Sequence, residues 1–178
     1  MQITRIFLLV TSFLIGINNT LLAQNTLIEQ LKPLEPFLGK TFKGELAEST
    51  PEKPVIDISG WERALNGKAV RNLHSINNGE YGGETMIYYD KDKDSIIYYY
   101  FTTAGFYTHG TMQFDGKTVT SHEFVEGNEN GITEVKSIVT INDDGSLHNK
   151  SLYLKNGEWV QGHEATYVEA PDAEVIFK

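Results

Sequence analysis

The side chains best suited to chemistry in this chain are five histidines, His74, His109, His122, His148 and His163. Imidazole changes charge near neutral pH and is the commonest metal ligand. No two of them stand two or four residues apart, so a metal site would have to be assembled across strands, and its ligands stay unassigned. His163 falls in the alternating series Trp159, Gln161, His163, Ala165, Tyr167. Residues two apart share one face of a strand, and this mixture of aromatic and polar groups suits the wall of a ligand cavity. Val160, Glu164 and Val168 form the opposite face, so the reverse register competes. Trp61 and Arg63 are a second pair of candidates. Gly60 interrupts the alternation of Ile56 and Ile58, a bulge there would turn Trp61 inward, and Arg63 would bind a carboxylate of the protein or of a ligand. His109 lies between Gly105 and Gly110, and two glycines in one strand point to close backbone approach beside a ligand.

The expected ligand-contacting set is therefore Trp61, Arg63, His109, Trp159, Gln161, His163 and Tyr167. No catalytic constellation stands beside it. His122 and Glu123 point to opposite faces of a strand, and the chain has neither a Gly-x-Ser-x-Gly turn nor a phosphate-cradling glycine loop. Asp90 to Ser95 resembles the start of a calcium loop, but Ser95 stands where a glycine is needed and Phe101 where a bidentate glutamate is needed, so a solvated charged turn is expected. The chain has no cysteine, which excludes disulfides, thiolate metal sites, cysteine nucleophiles and lipoprotein acylation.

The elements that must position these residues are strands. Asn66-Gly67, Asn78-Gly79, Asp115-Gly116, Asn130-Gly131, Asp144-Gly145 and Asn156-Gly157 are dipeptides that accept the positive φ of tight hairpins. With two further turns at Asp90 to Asp94 and at Thr103-Ala104-Gly105, they recur about every dozen residues. The alternation between them predicts ten antiparallel strands near 41–47, 55–64, 68–77, 82–89, 95–102, 106–114, 117–125, 132–141, 147–154 and 158–168. A meander of that length removes its two edges by closing into a barrel. Before it, Leu27, Ile28, Leu31 and Leu34 predict a short helix, capped by Asn25-Thr26 and limited by Pro33 and Pro36. The hairpin carrying Met86–Tyr89 and Ile96–Phe101 is apolar on both faces. The expected grouping is Ile87, Tyr89, Ile97, Tyr99 and Phe101 on one face, with Met86, Tyr88, Ile96, Tyr98 and Tyr100 on the other. Two explanations stay open: tyrosines lying along the surface with wet hydroxyls, or a covered face, either a homodimer contact or a ligand-filled lumen.

Residues 1–23 read as a secretory signal. Arg5 precedes an apolar run from Ile6 to Ile17 that is short for a bilayer span, with a polar break and Ala23 beyond it. The expectation is a periplasmic or secreted domain over 24–178, with no membrane anchor in the mature form. The net charge is −9, or −10 once Arg5 is removed, and the basic residues are scattered, which argues against nucleic acid and anionic membrane surfaces as partners.

Phe37-Leu38-Gly39-Lys40-Thr41-Phe42-Lys43-Gly44-Glu45 is similar to the opening of lipocalin-like (calycin) barrels, where a short helix leads into a Gly-Thr-Trp-x-Gly type segment. It looks most like exported bacterial domains of that group and more distantly like haem-binding nitrobindin-type barrels. The resemblance implies an all-β, lipocalin-like closed barrel with a short N-terminal helix and with Phe42 packed across its base. It implies a small, largely apolar or amphipathic molecule in the lumen, with no cofactor. The alternative it carries is haem, held by His163, which stands where the nitrobindin-like proteins place a histidine near the chain's end.

Overall fold

The computed structural model describes residues 26–126 and 130–178; the expected signal segment and the Asn25 cap lie outside the described residues. Ten strands form one closed antiparallel ring: β1 Thr41–Leu46, β2 Ile56–Ala64, β3 Ala69–Ile76, β4 Tyr81–Asp90, β5 Ser95–Thr102, β6 Tyr107–Asp115, β7 Thr118–Phe124, β8 Ile132–Ile141, β9 Leu147–Lys155 and β10 Glu158–Glu169. Every strand pairs with its sequence neighbours. β1 closes the ring on β10, from Phe42 opposite Glu169 to Leu46 opposite Ala165. The meander and its closure are as the turn spacing predicts, because each hairpin turn fixes the register of the two strands it joins.

The N-terminal helix is a 3-10 helix, Glu29–Phe37, not an α-helix. Pro33 and Pro36 lack the N–H groups that an α-helical ladder would use. A 3-10 helix has three residues per turn, which places Leu31, Leu34 and Phe37 in one row, and that row is buried. Its N-cap is Ile28, which makes no side-chain cap; instead Ile28 N–H donates to Gly67 O at 3.0 Å and ties the helix to the β2–β3 turn. The row plugs one end of the barrel, packing with Leu27, Phe42, Val70, Ile87, Tyr98 and Leu147. Phe42 is 2% exposed, and Phe37 meets it edge-on at 6.2 Å while stacking on Trp61 at 5.0 Å.

Two registers differ from the sequence expectation. In the β4–β5 hairpin Asp90 pairs with Ser95, so odd positions of β4 face even positions of β5. Ile87 and Tyr89 therefore share the inner face with Ile96, Tyr98 and Tyr100, and Met86 and Tyr88 share the outer face with Ile97, Tyr99 and Phe101. In β10 the pairing with β9 slips between Gln161 and Glu164. That bulge flips the parity, so no single face carries the whole series from Trp159 to Tyr167. Beyond β10 the chain continues over the outer wall, where Ile176 N–H donates to Ser75 Oγ at 3.0 Å and leaves Ser75 1% exposed.

Candidate functional site

The barrel encloses a cavity of roughly 650 Å³ that opens opposite the helical plug. Its lower part is floored by Leu34, Phe37, Phe42, Val119, Val139 and Leu147. Above this floor the lining sets Asp57, Asn72, His74, Ser121, Glu123 and Asn149 among apolar side chains such as Ile87, Phe106, Val125 and Ile132.

Two hydrogen-bonded groups organise that polar belt. In the first, Asp57 on β2 faces His74 on β3, with Oδ1 to Nδ1 at 3.0 Å. His74 Nε2 lies 2.7 Å from the Tyr100 hydroxyl on β5, and Tyr100 bonds the Tyr81 hydroxyl on β4 at 3.0 Å. From the other side Tyr167 on β10 donates to Asp57 Oδ2 at 2.8 Å. With Nδ1–H donating to Asp57, a neutral His74 accepts the Tyr100 proton at Nε2; an imidazolium instead donates to Tyr100, which then donates to Tyr81. The chain Asp57–His74–Tyr100–Tyr81 can thus carry either proton arrangement. In the second group, Tyr98 on β5 donates to Glu123 Oε2 on β7 at 3.4 Å.

Three of these contacts, His74–Tyr100, Tyr167–Asp57 and Tyr98–Glu123, skip a strand, and glycine makes that possible. The Tyr167 ring crosses β1 at Gly44, where an added Cβ would stand 2.7 Å from the ring. Tyr100 crosses β4 at Gly83, and Tyr98 crosses β6 at Gly110, each too close for any side chain on the glycine. A tyrosine laid flat over a strand glycine covers the exposed backbone and carries its hydroxyl to the next strand.

Burial raises the Tyr98, Tyr100 and Tyr167 phenols far above their ordinary range, which favours the protonated, hydrogen-bond-donating form. Burial also raises Glu123, opposed by the nearby hydroxyls of Thr108 and Tyr98 and by His109. Thr108 is 2% exposed, and its Oγ1, although close to the carboxyl, makes no well-formed hydrogen bond. A glutamate whose proton is held more tightly in the folded state than in the unfolded chain lowers stability as pH rises past its ordinary value of 4.5. The cost is absent below that value and complete above the raised folded one. Glu123→Gln removes the charge, so the variant will be more stable than the native chain at mildly alkaline pH. The gain will vanish as pH falls towards 4.5; urea titrations at the two pH values measure it, and a pH-independent difference would contradict it.

Among the residues singled out from the sequence, Trp61, His163 and Tyr167 line the cavity. His163 sits at its mouth with its side chain half-exposed, its Nδ1 2.8 Å from Glu48 Oε1 and its ring edge-on to Tyr153. Arg63 shares Trp61's parity but lies outside the cavity lining, pairs with Val70, and has a buried Nη1 without a hydrogen-bond partner. Trp159 and Gln161 are corrections: the β10 bulge turns both outward, Trp159 beneath the Lys136 ammonium at 4.3 Å and Gln161 onto Glu164. His109 is a third, lying on the outer wall between Tyr99 and Phe124. His148 is 3.0 Å from Glu164, and His122 pairs with Glu134 at 2.6 Å. Asp57, Tyr81, Tyr98, Tyr100, Glu123 and Asn149 were not legible as site residues. The usable signal was an inward-parity glycine beside a tyrosine-bearing strand.

The fold is similar to that of a solved structure. The crystal structure of Rv2717c from M. tuberculosis superposes with a TM-score of 0.59, covering 81% of this chain and 99% of that one at 13% sequence identity. At that identity the likeness establishes the fold alone. No protein-family model and no curated protein matches the chain.

The lining can be tested against haem. His163, oriented by Glu48, meets one requirement, an imidazole fixed through its second nitrogen. The rest does not fit. A porphyrin needs two broad apolar walls, whereas this belt presents Asp57, His74, Glu123 and Asn149 and contains no lysine or arginine to meet propionates. Burying Glu123 and Asn149 against a porphyrin would leave both carrying unmet polar atoms. Among the described residues no three His, Asp or Glu side chains come together as a metal site. No described helix is long and apolar enough to cross a membrane.

Proposed function

We propose that this chain is an exported, lipocalin-like barrel that holds one small amphipathic molecule in its lumen and performs no chemistry on it. The observation that carries this reading is the cavity itself: largely apolar walls closed at one end by the helical plug, a few hydrogen-bonding groups set among them, and an open mouth. Ligand sites are characteristically apolar concavities with a few placed polar groups that fix orientation. Of the two expected ligand types, the polar groups favour the amphipathic one, with its polar end beside Tyr98, Tyr100 and Glu123. Export is supported by the short apolar run after Arg5 and by Ala23.

Native mass spectrometry of protein purified from its natural source is the test. The expected spectrum shows a chain beginning near Gln24 that carries one small molecule, which is lost on denaturation. A bare mass, with no thermal stabilisation by amphipathic compounds, would overturn the binding reading. The same spectrum addresses a second reading, a homodimer through the outer wall of β5, β6 and β7. Tyr99, Phe101, Tyr107, His109 and Phe124 form a continuous run of ring contacts there, and Phe101 and Tyr107 are more than half exposed.

A further inference from the structure

Charge in the lumen is unbalanced. Asp57 and Glu123 stand on strands five apart around the ring, so they face each other across the barrel. Asp57 is satisfied, with one oxygen facing His74 and the other accepting from Tyr167. Glu123 differs: it forms no ion pair with any described residue, and Tyr98 approaches only at 3.4 Å. Buried carboxylates are ordinarily paired with a cation or neutralised, and no lysine or arginine lines this cavity.

Two neighbours show what the missing group should be. Thr108 lies two residues along β6 from Gly110, the residue opposite Glu123, and so on the same inward face, with its hydroxyl diagonally beside the carboxyl. That hydroxyl is buried and without a hydrogen-bond partner, and it can accept a bond. On the other side Tyr98 passes over Gly110 with its Cζ and hydroxyl, and its ring lines the cavity beside the carboxyl. A carboxylate, a free hydroxyl acceptor and an aromatic face together suit an N–H-bearing cation, through an ion pair, a hydrogen bond and a cation–π contact. Deeper on β9, the buried Asn149 Oδ1 also lacks a donor. The net charge of −9 draws cations towards the mouth.

We propose that the lumen selects a protonated primary or secondary amine on a small apolar skeleton, with its ammonium held by Glu123 and Thr108 against the Tyr98 ring. This rests on the binding reading above and specifies its ligand class. The skeleton then lies towards Phe42, Val119, Val139 and Leu147 at the floor.

Calorimetric titration of the purified chain with phenethylamine, phenethyl alcohol and hydrocinnamate tests it, since the three share a skeleton and differ in the charge of one end. The amine should bind at least about tenfold more tightly than the alcohol, equivalent to about 1.4 kcal/mol, and the carboxylate should bind least. Glu123→Gln should weaken the amine about tenfold or more while changing the alcohol by less than about threefold. Thr108→Val, which conserves shape, should weaken the amine by a smaller factor, so the proposal stays testable if one variant folds poorly. Equal affinity for amine and alcohol, or an amine affinity indifferent to Glu123→Gln, overturns the amine assignment and leaves the lumen as a binding site. Failure of all three probes overturns the assignment as well, and a bare native mass in addition removes the binding reading itself.

Discussion

Replacing Phe42 by alanine will cost about 3–5 kcal/mol of unfolding free energy, the range for a phenylalanine removed from a packed core. The ring is 2% exposed on β1 and meets Phe37 edge-on at 6.2 Å. Phe37 in turn stacks on Trp61 at 5.0 Å, so the aromatic trio couples the 3-10 helix to the first two strands. Phe42 also lines the lower cavity, so its loss opens the void further, and the barrel walls cannot collapse to fill it because their hydrogen-bonded registers are fixed. Urea denaturation gives the cost directly. Trp61 emission should shift to longer wavelength before the global transition, as Phe37 loosens over the indole. A loss under about 1 kcal/mol would mean that the ring does not hold the plug.

That Phe42 could be chosen from the sequence shows where the sequence is informative. Its aromatic-x-Gly setting and the helix before it mark the barrel base, and the Asn-Gly and Asp-Gly turns mark hairpins wherever positive φ is needed, as at Asn156 and Gly157. These are local signals, carried by a few adjacent residues. The facing of side chains is not local. Parity along β10 assigns Trp159 and His163 to one face only if the strand is regular, and the bulge before Glu164 is visible only in its pairing with β9. The hairpin of β4 and β5 posed the same problem: its residues are right, but the pairing of Asp90 with Ser95 decides which tyrosines meet the lumen. The polar belt was hidden for a related reason. His74, Tyr100 and Asp57 lie on three strands and converge only because Tyr100 crosses a glycine on the strand between. Of the two glycines near His109 expected to mark close backbone approach, only Gly110 does, where Tyr98 crosses it on the inner face; Gly105 has open space around it.

The crossing at Gly83 yields the second large effect. Gly83→Ala will destabilise the barrel by about 1–3 kcal/mol, the usual cost of overpacking, and towards the upper end of that range. An added Cβ would meet both the Tyr100 ring and the backbone carbonyl of Phe101. The ring can swing away; the carbonyl belongs to the paired strand and cannot move without disturbing the β4–β5 ladder. Swinging the ring has its own consequence, because Tyr100 then leaves His74 Nε2 and Tyr81, and the hydrogen-bonded chain ends at the imidazole. A double-mutant cycle separates the two contributions. Tyr100→Ala alone loses the ring's packing and its hydrogen bonds. Combined with Gly83→Ala it relieves the ring clash, so the double variant should be less destabilised than the sum of the singles by about 1 kcal/mol, within the coupling found for residues in contact. Strict additivity would show that the carbonyl contact alone demands glycine at position 83 and that the tyrosine crossing is incidental to it. Sub-additivity would establish Gly83 and Tyr100 as one unit, a gap in one strand filled by the ring of the next, which carries a hydroxyl to His74.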